Sequence, residues 1–82
     1  MITIEIYSQM LDIAYDFVID ENAEIRTVIE DVAQMMSRSD RGEFRGDASE
    51  LYLYSMTNRT VLSPENTLFD CGIKTGDRLC IM

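Results

Sequence analysis

Residues 60–82, TVLSPENTLFDCGIKTGDRLCIM, carry the pattern that decides how this chain folds. Thr60 to Leu62 is a short strand, and Pro64 ends it, because proline has no amide hydrogen to give to a ladder. Thr67 to Gly72 reads as one helical turn closed by Gly72. Thr75-Gly76-Asp77 turns the chain again, and Arg78 to Met82 forms a last strand. Strands this short need partners elsewhere in the chain.

The partners lie upstream. Ile2, Ile4 and Ile6 alternate with Thr3, Glu5 and Tyr7, the period of a half-buried strand. Ser8-Gln9-Met10 reads as a short reversal. From Leu11 the alternation resumes, with Leu11, Ile13, Tyr15, Phe17 and Ile19 against Asp12, Ala14, Asp16, Val18 and Asp20. Two alternating runs with a short break predict a β-hairpin. The period then lengthens: Ile25, Val28, Ile29, Val32, Ala33 and Met36 share one side of a helix, while Glu24, Thr27, Asp31, Gln34 and Arg38 share the other. Asn22 is the expected N-cap, Glu24 suits the positive end of the helix dipole, and Gly42 lies past a stop near Arg38. Residues 39–50 read as a polar loop around Phe44. Leu51 to Met56 is a third strand, separated from Thr60 by the turn Thr57-Asn58-Arg59. The order is ββαββ with a final β, an α+β arrangement in which one helix covers one face of a mixed sheet.

Eighty-two residues are expected to form one domain, 1–82, at the small end of what one core can stabilise. Hydrophobic residues make up 46% and charged ones 27%, too balanced for disorder. No secretory signal opens the chain, and no apolar run approaches membrane-spanning length. Two cysteines are too few for a secreted disulfide framework, so a cytoplasmic location and no membrane insertion are expected. The net charge of −8 repels phosphate backbones and anionic lipid, which disfavours nucleic acid as a partner. It serves solubility, or it offers an acidic surface to a basic protein.

The C-terminal segment resembles the ubiquitin superfamily. Leu62, Thr67-Leu68, Asp70, Ile73 and Leu79-Ile81 fall where that superfamily has a short strand, a Thr-Leu, an Asp, a buried Ile and its final strand. The run Leu68 to Leu79, with Val28-Ile29 in the helix, is similar to the signature of the YukD/EsaB family of type VII secretion systems. The resemblance implies a β-grasp fold with the sheet order second, first, last, third, fourth strand. The last strand would run parallel to the first, and the helix would supply that crossover. It also implies a cytosolic accessory or regulatory role in secretion. Alternatives are an adaptor in another pathway, or a ubiquitin-like domain of a larger membrane component of the same apparatus.

Catalysis finds little support. Histidine is absent, and neither Cys71 nor Cys80 has an obvious base. Cys71 reads as a small buried hydrophobe, and Cys80 as a partly exposed side chain pointing away from the helix. Neither a cofactor nor a metal is expected. Asp12, Asp16 and Asp20 stand four apart on a predicted strand, about 13 Å between neighbours, too far to share one cation. Outward charges on an edge strand instead discourage pairing with another chain. Conjugating relatives and sulfur carriers carry a flexible Gly-Gly tail. This chain reaches Ile81-Met82 within a strand, and Lys74 is its single lysine, so covalent conjugation is not expected, and a sulfur carrier or protein modifier stays open only if the tail is processed.

Surface recognition of protein partners remains. In ubiquitin the sheet face turned from the helix carries a hydrophobic patch, and aligning the Thr-Leu places Met56 and Met82 there. Tyr52 and Tyr54 share the phase of Met56, and Cys80 that of Met82, while Leu51 and Leu53 face the core; a bulge near Ser55 would exchange the faces. Tyrosine and methionine suit an interface centre, or the tyrosines merely cover the sheet with their hydroxyls in water. Asp12 and Asp16 would flank this patch. The chain is read as a monomer.

Overall fold

The computed structural model describes residues 1–37 and 50–82. Their elements are β1 (Ile2–Ser8), β2 (Ile13–Ile19), α1 (Ile25–Ser37), β3 (Leu53–Ser55), β4 (Thr60–Val61) and β5 (Arg78–Ile81). The expected helix stop at Arg38 and Gly42, and the loop around Phe44, lie outside the described residues. The sheet order is β2-β1-β5-β3-β4. β1 pairs antiparallel with β2 and parallel with β5, and β5 pairs antiparallel with β3. A parallel pair cannot be joined by a tight turn, so the chain between β1 and β5 must cross over one sheet face, and α1 lies in that crossover.

The core follows from the two periodicities. All six residues of the apolar helix stripe are buried. They form one cluster with Ile4, Ile6 and Phe17 of the hairpin, Leu53, Leu79 and Ile81 of the inner strands, and Leu62, Leu68 and Ile73 of the connections. Full burial of an aliphatic side chain contributes roughly 1.5–3 kcal/mol, so this cluster is the main source of stability. Two serines, Ser8 and Ser55, are buried as well. The Ser8 hydroxyl oxygen accepts from the Leu11 amide (3.1 Å) and that of Ser55 from Asn58 (3.1 Å), so each buried hydroxyl closes the turn that follows its strand.

Several local expectations are corrected. Ser8 still belongs to β1, and the hairpin reverses over residues 9–12 with Asp12 at φ 52°. Aspartate tolerates that left-handed conformation better than most residues. Asp12 therefore sits in the turn and not on the strand. Tyr15 keeps the apolar phase yet stays exposed on the edge strand, in T-shaped contact with Phe17 (centroids 6.4 Å). Asn22 is not the N-cap: it lies in a turn where its amide donates to Asp20 Oδ1 (2.9 Å). The first free amides of α1 are taken from far along the chain. Ile25 donates to the Asn66 carbonyl (2.8 Å) and Arg26 to that of Pro64 (3.0 Å).

The turn at 67–72 is capped at both ends. Thr67 Oγ1 accepts from the Asp70 amide (3.0 Å) while Asp70 Oδ2 accepts from the Thr67 amide (3.1 Å), a reciprocal box. At its end Ile73 donates to Leu68 O (3.0 Å) and Gly72 to Phe69 O (3.1 Å), a Schellman pairing that sets Gly72 at φ 72°. A Cβ at Gly72 would meet nothing within 4 Å, so only the backbone resists substitution. Gly72→Ala is expected to cost about 1–2 kcal/mol in chemical denaturation. An unchanged midpoint would show that the left-handed turn relaxes freely.

Candidate functional site

The sheet face away from α1 is organised in rows set by register. One row runs Ala14, Tyr7, Cys80, Tyr54, Val61 from β2 to β4. On one side of it Tyr52 and Met82 are joined by two backbone hydrogen bonds, Tyr52 N to Met82 O (2.7 Å) and Met82 N to Tyr52 O (2.9 Å). On the other side lie Asp16, Glu5 and Arg78, with Met56 bonded through its amide to the Arg78 carbonyl (3.1 Å). Leu51, Leu53 and Ser55 are buried on the opposite face, so no bulge exchanges the faces.

Tyr52, Met56 and Met82 are 50%, 49% and 43% exposed, and Tyr7 and Tyr54 are half-buried. Cys80 corrects an expectation: it is 7% exposed. It does face away from the helix, but it occupies the central strand with Tyr7 and Tyr54 as its register neighbours, and large neighbours on both sides bury a small side chain. Cys80 therefore forms the floor between two tyrosines.

Tyr7 and Val61 complete the face and were not among the expected residues. The alternation of the first strand already set Tyr7 apart from Ile4 and Ile6, which was the available signal. Its hydroxyl donates to Asp12 Oδ1 (2.9 Å). That hydrogen bond, with lesser contributions from burial and the nearby negative charge, raises the phenol above its usual range. Asp12 thus fixes Tyr7 from the hairpin turn, and Asp16 lies beside Glu5, which pairs with Arg78 (3.5 Å). One end of the face carries Tyr52 and Met82, and the other carries Asp16, Glu5 and Arg78 with Met56 beside them.

The thiols are poorly suited to chemistry. Burial pushes both Cys71 and Cys80 up, leaving them protonated at neutral pH, whereas a nucleophile needs the thiolate. Among the described residues, no three His, Cys, Asp or Glu side chains converge as metal ligands would. Asp12 and Asp20 lie in turns flanking β2, and Asp16 alone of the three is within it. No helix among the described residues is long and apolar enough to cross a membrane.

Sequence comparison adds the family. The profile of protein YukD of the WXG100 protein secretion system (Wss) matches residues 1–81. The chain belongs to the YukD family. Among curated proteins no sequence match is found. Solved structures similar to this YukD-family fold include the N-terminal ubiquitin-like domain of the 4931431F19Rik protein, with TM-score 0.76 at 16% identity, covering 99% of this chain and 72% of that one. The ubiquitin of Caldiarchaeum subterraneum superposes at TM-score 0.71 and 17% identity, over 98% of this chain and 89% of that one. ATBAG1, solved in complex with HSP70, gives 0.76 at 11% identity, over 100% of this chain and 40% of that one. Identities this low speak to fold alone, and the fold is the ubiquitin-like β-grasp. Within the YukD family, as in ubiquitin-like domains, members are generally non-catalytic.

Proposed function

We propose that this YukD-family chain is a non-catalytic, non-conjugated component of the WXG100 (type VII) secretion system. It acts in the cytoplasm as an accessory or regulator and works by docking protein partners on its open sheet face. The observation that carries the reading is the in-register cluster of Tyr7, Tyr52, Tyr54, Met56 and Met82 around the Cys80 floor. Interface centres favour such side chains, because aromatic rings give contact area at low entropic cost and thioethers adapt to the partner's shape. Asp12 and Asp16 flank the cluster and orient a basic partner.

A strain lacking this chain is expected to lose export of the system's WXG100 proteins, and the wild-type gene should restore it. Unchanged export would refute the secretion role. Met82 is tied to Tyr52 by two backbone hydrogen bonds, so these residues are held against the sheet. With an activating enzyme and ATP, neither adenylate nor thioester should form, as read by intact mass. A ladder of adducts would overturn this.

A further inference from the structure

β2 is the edge of the sheet, and the register shows what its free side offers. Thr3 and Glu5 direct backbone groups towards β5: Gly76 N donates to Thr3 O, and Glu5 N donates to Asp77 O. Backbone groups of Ile2, Ile4, Ile6 and Ser8 therefore point to β2, where they pair with Ile19, Phe17, Tyr15 and Ile13. By the same alternation the amides and carbonyls of Ala14, Asp16 and Val18 point outwards, with no strand beyond them among the described residues.

Alongside this free edge, between β2 and α1, runs an apolar groove of about 220 Å³. Ile19, Val28 and Val32 line its depth and Met35 its rim, with Asp20 and Asp31 among its walls. The volume falls below the roughly 300–1,000 Å³ typical of small-molecule pockets and suits a few side chains instead. Asp16, Asp20 and Asp31 form no ion pair among the described residues, whose salt bridges are those of Glu21 and Glu5.

We propose that the free edge of β2 and the adjoining groove receive an extended, cationic peptide segment of another protein as an added strand. Its backbone pairs with Ala14, Asp16 and Val18. Its alternate apolar side chains enter the groove over Val28, Val32 and Met35, and its lysine or arginine residues meet Asp16, Asp20 and Asp31. Strand addition of this kind draws affinity from main-chain hydrogen bonds and specificity from pockets for every second side chain. Charge decides the occupant. A second copy would bring its own Asp16 and a further −8 of net charge to the same edge, so like charges oppose self-pairing while a basic strand is attracted. The carboxylates guard the edge and select what may join it. This surface lies three strands away from β3, which Tyr52 and Met56 flank, and Asp16 takes part in both surfaces.

The test titrates the isotope-labelled full chain with the synthetic peptide acetyl-RVTVTVR-amide, followed by NMR. At about millimolar peptide, the Ala14, Asp16 and Val18 amides should shift and exchange more slowly with solvent, and Val32 and Met35 should shift with them. The same peptide N-methylated at alternate amides should lose these effects. Asp31→Lys should weaken the basic peptide at least about fivefold and improve the acidic analogue acetyl-EVTVTVE-amide. No perturbation of β2, perturbation confined to Tyr52, Tyr54 and Met82, or β2 broadening with protein concentration before peptide is added would each overturn the proposal.

Discussion

Replacing Tyr54 and Met56 together by serine is expected to weaken partner capture by about 2 kcal/mol or more, roughly thirtyfold. Tyr54 pairs in register with both Cys80 and Val61, so it stands at the centre of the open face, with Met56 two residues on, just past the end of β3. Truncation there removes contact area from the middle of an interface, where binding energy concentrates. Stability should fall much less, by about 1 kcal/mol, because Met56 is half exposed and Tyr54 lies outside the core cluster. Capture of partners from the native host, with circular dichroism on the variant, separates the two effects. A folded variant that retains every partner would move the binding surface elsewhere. Asp16→Lys is the cleaner electrostatic companion, expected to slow association and change its salt dependence. Asp12→Lys would also remove the acceptor of the Tyr7 hydroxyl and force lysine into a left-handed turn.

Ile29→Ala carries the largest expected cost to folding, about 2–5 kcal/mol. Ile29 is 3% exposed in mid-helix and belongs to the buried cluster that includes Ile4, Ile6, Leu79 and Ile81. Alanine preserves the helix but leaves a cavity where rigid strands cannot collapse to fill it. Against a total stability of roughly 5–15 kcal/mol, such a loss is severe for a chain this small. Equilibrium denaturation measures it directly. A loss under about 1 kcal/mol would mean that the helix does not seat Ile29 against the sheet.

What could be read in the residues was whatever depends on spacing alone. Ile2, Ile4 and Ile6 announce a strand, and Ile25 to Met36 a helix, because burial on one face imposes the period of the element. The sheet order required the likeness of residues 62–81 to a known superfamily, since spacing does not say which strands meet. What stayed illegible depends on neighbours distant in sequence. Cys80 alternates like an exposed residue and is buried only because Tyr7 and Tyr54 arrive beside it from two other strands. Asn22 has the chemistry of an N-cap, but carbonyls at Pro64 and Asn66 reach the helix first. The hairpin turn begins one residue later and ends two later than the alternation suggests, because Asp12 accepts a left-handed backbone that nothing in the alternation requires. On the open face, the tyrosines and methionines were legible, and the part played by Tyr7 was not.

The borrowed caps of α1 bear on how the chain acquires its fold over time. Besides the two amides at Ile25 and Arg26, Phe69 donates to the Glu21 carbonyl (2.9 Å), and Glu24 bridges Thr67. The start of the helix is thus laced to a segment some forty residues later. During synthesis the helix must wait, its first amides facing water, until the chain through Phe69 has left the ribosome. Contacts that close so large a loop are entropically late, which places folding among the slower mixed α/β topologies and not with local helical bundles. Helix ends ordinarily fray first. Here the first turn should open only when the C-terminal third lets go, so its amides report on global unfolding.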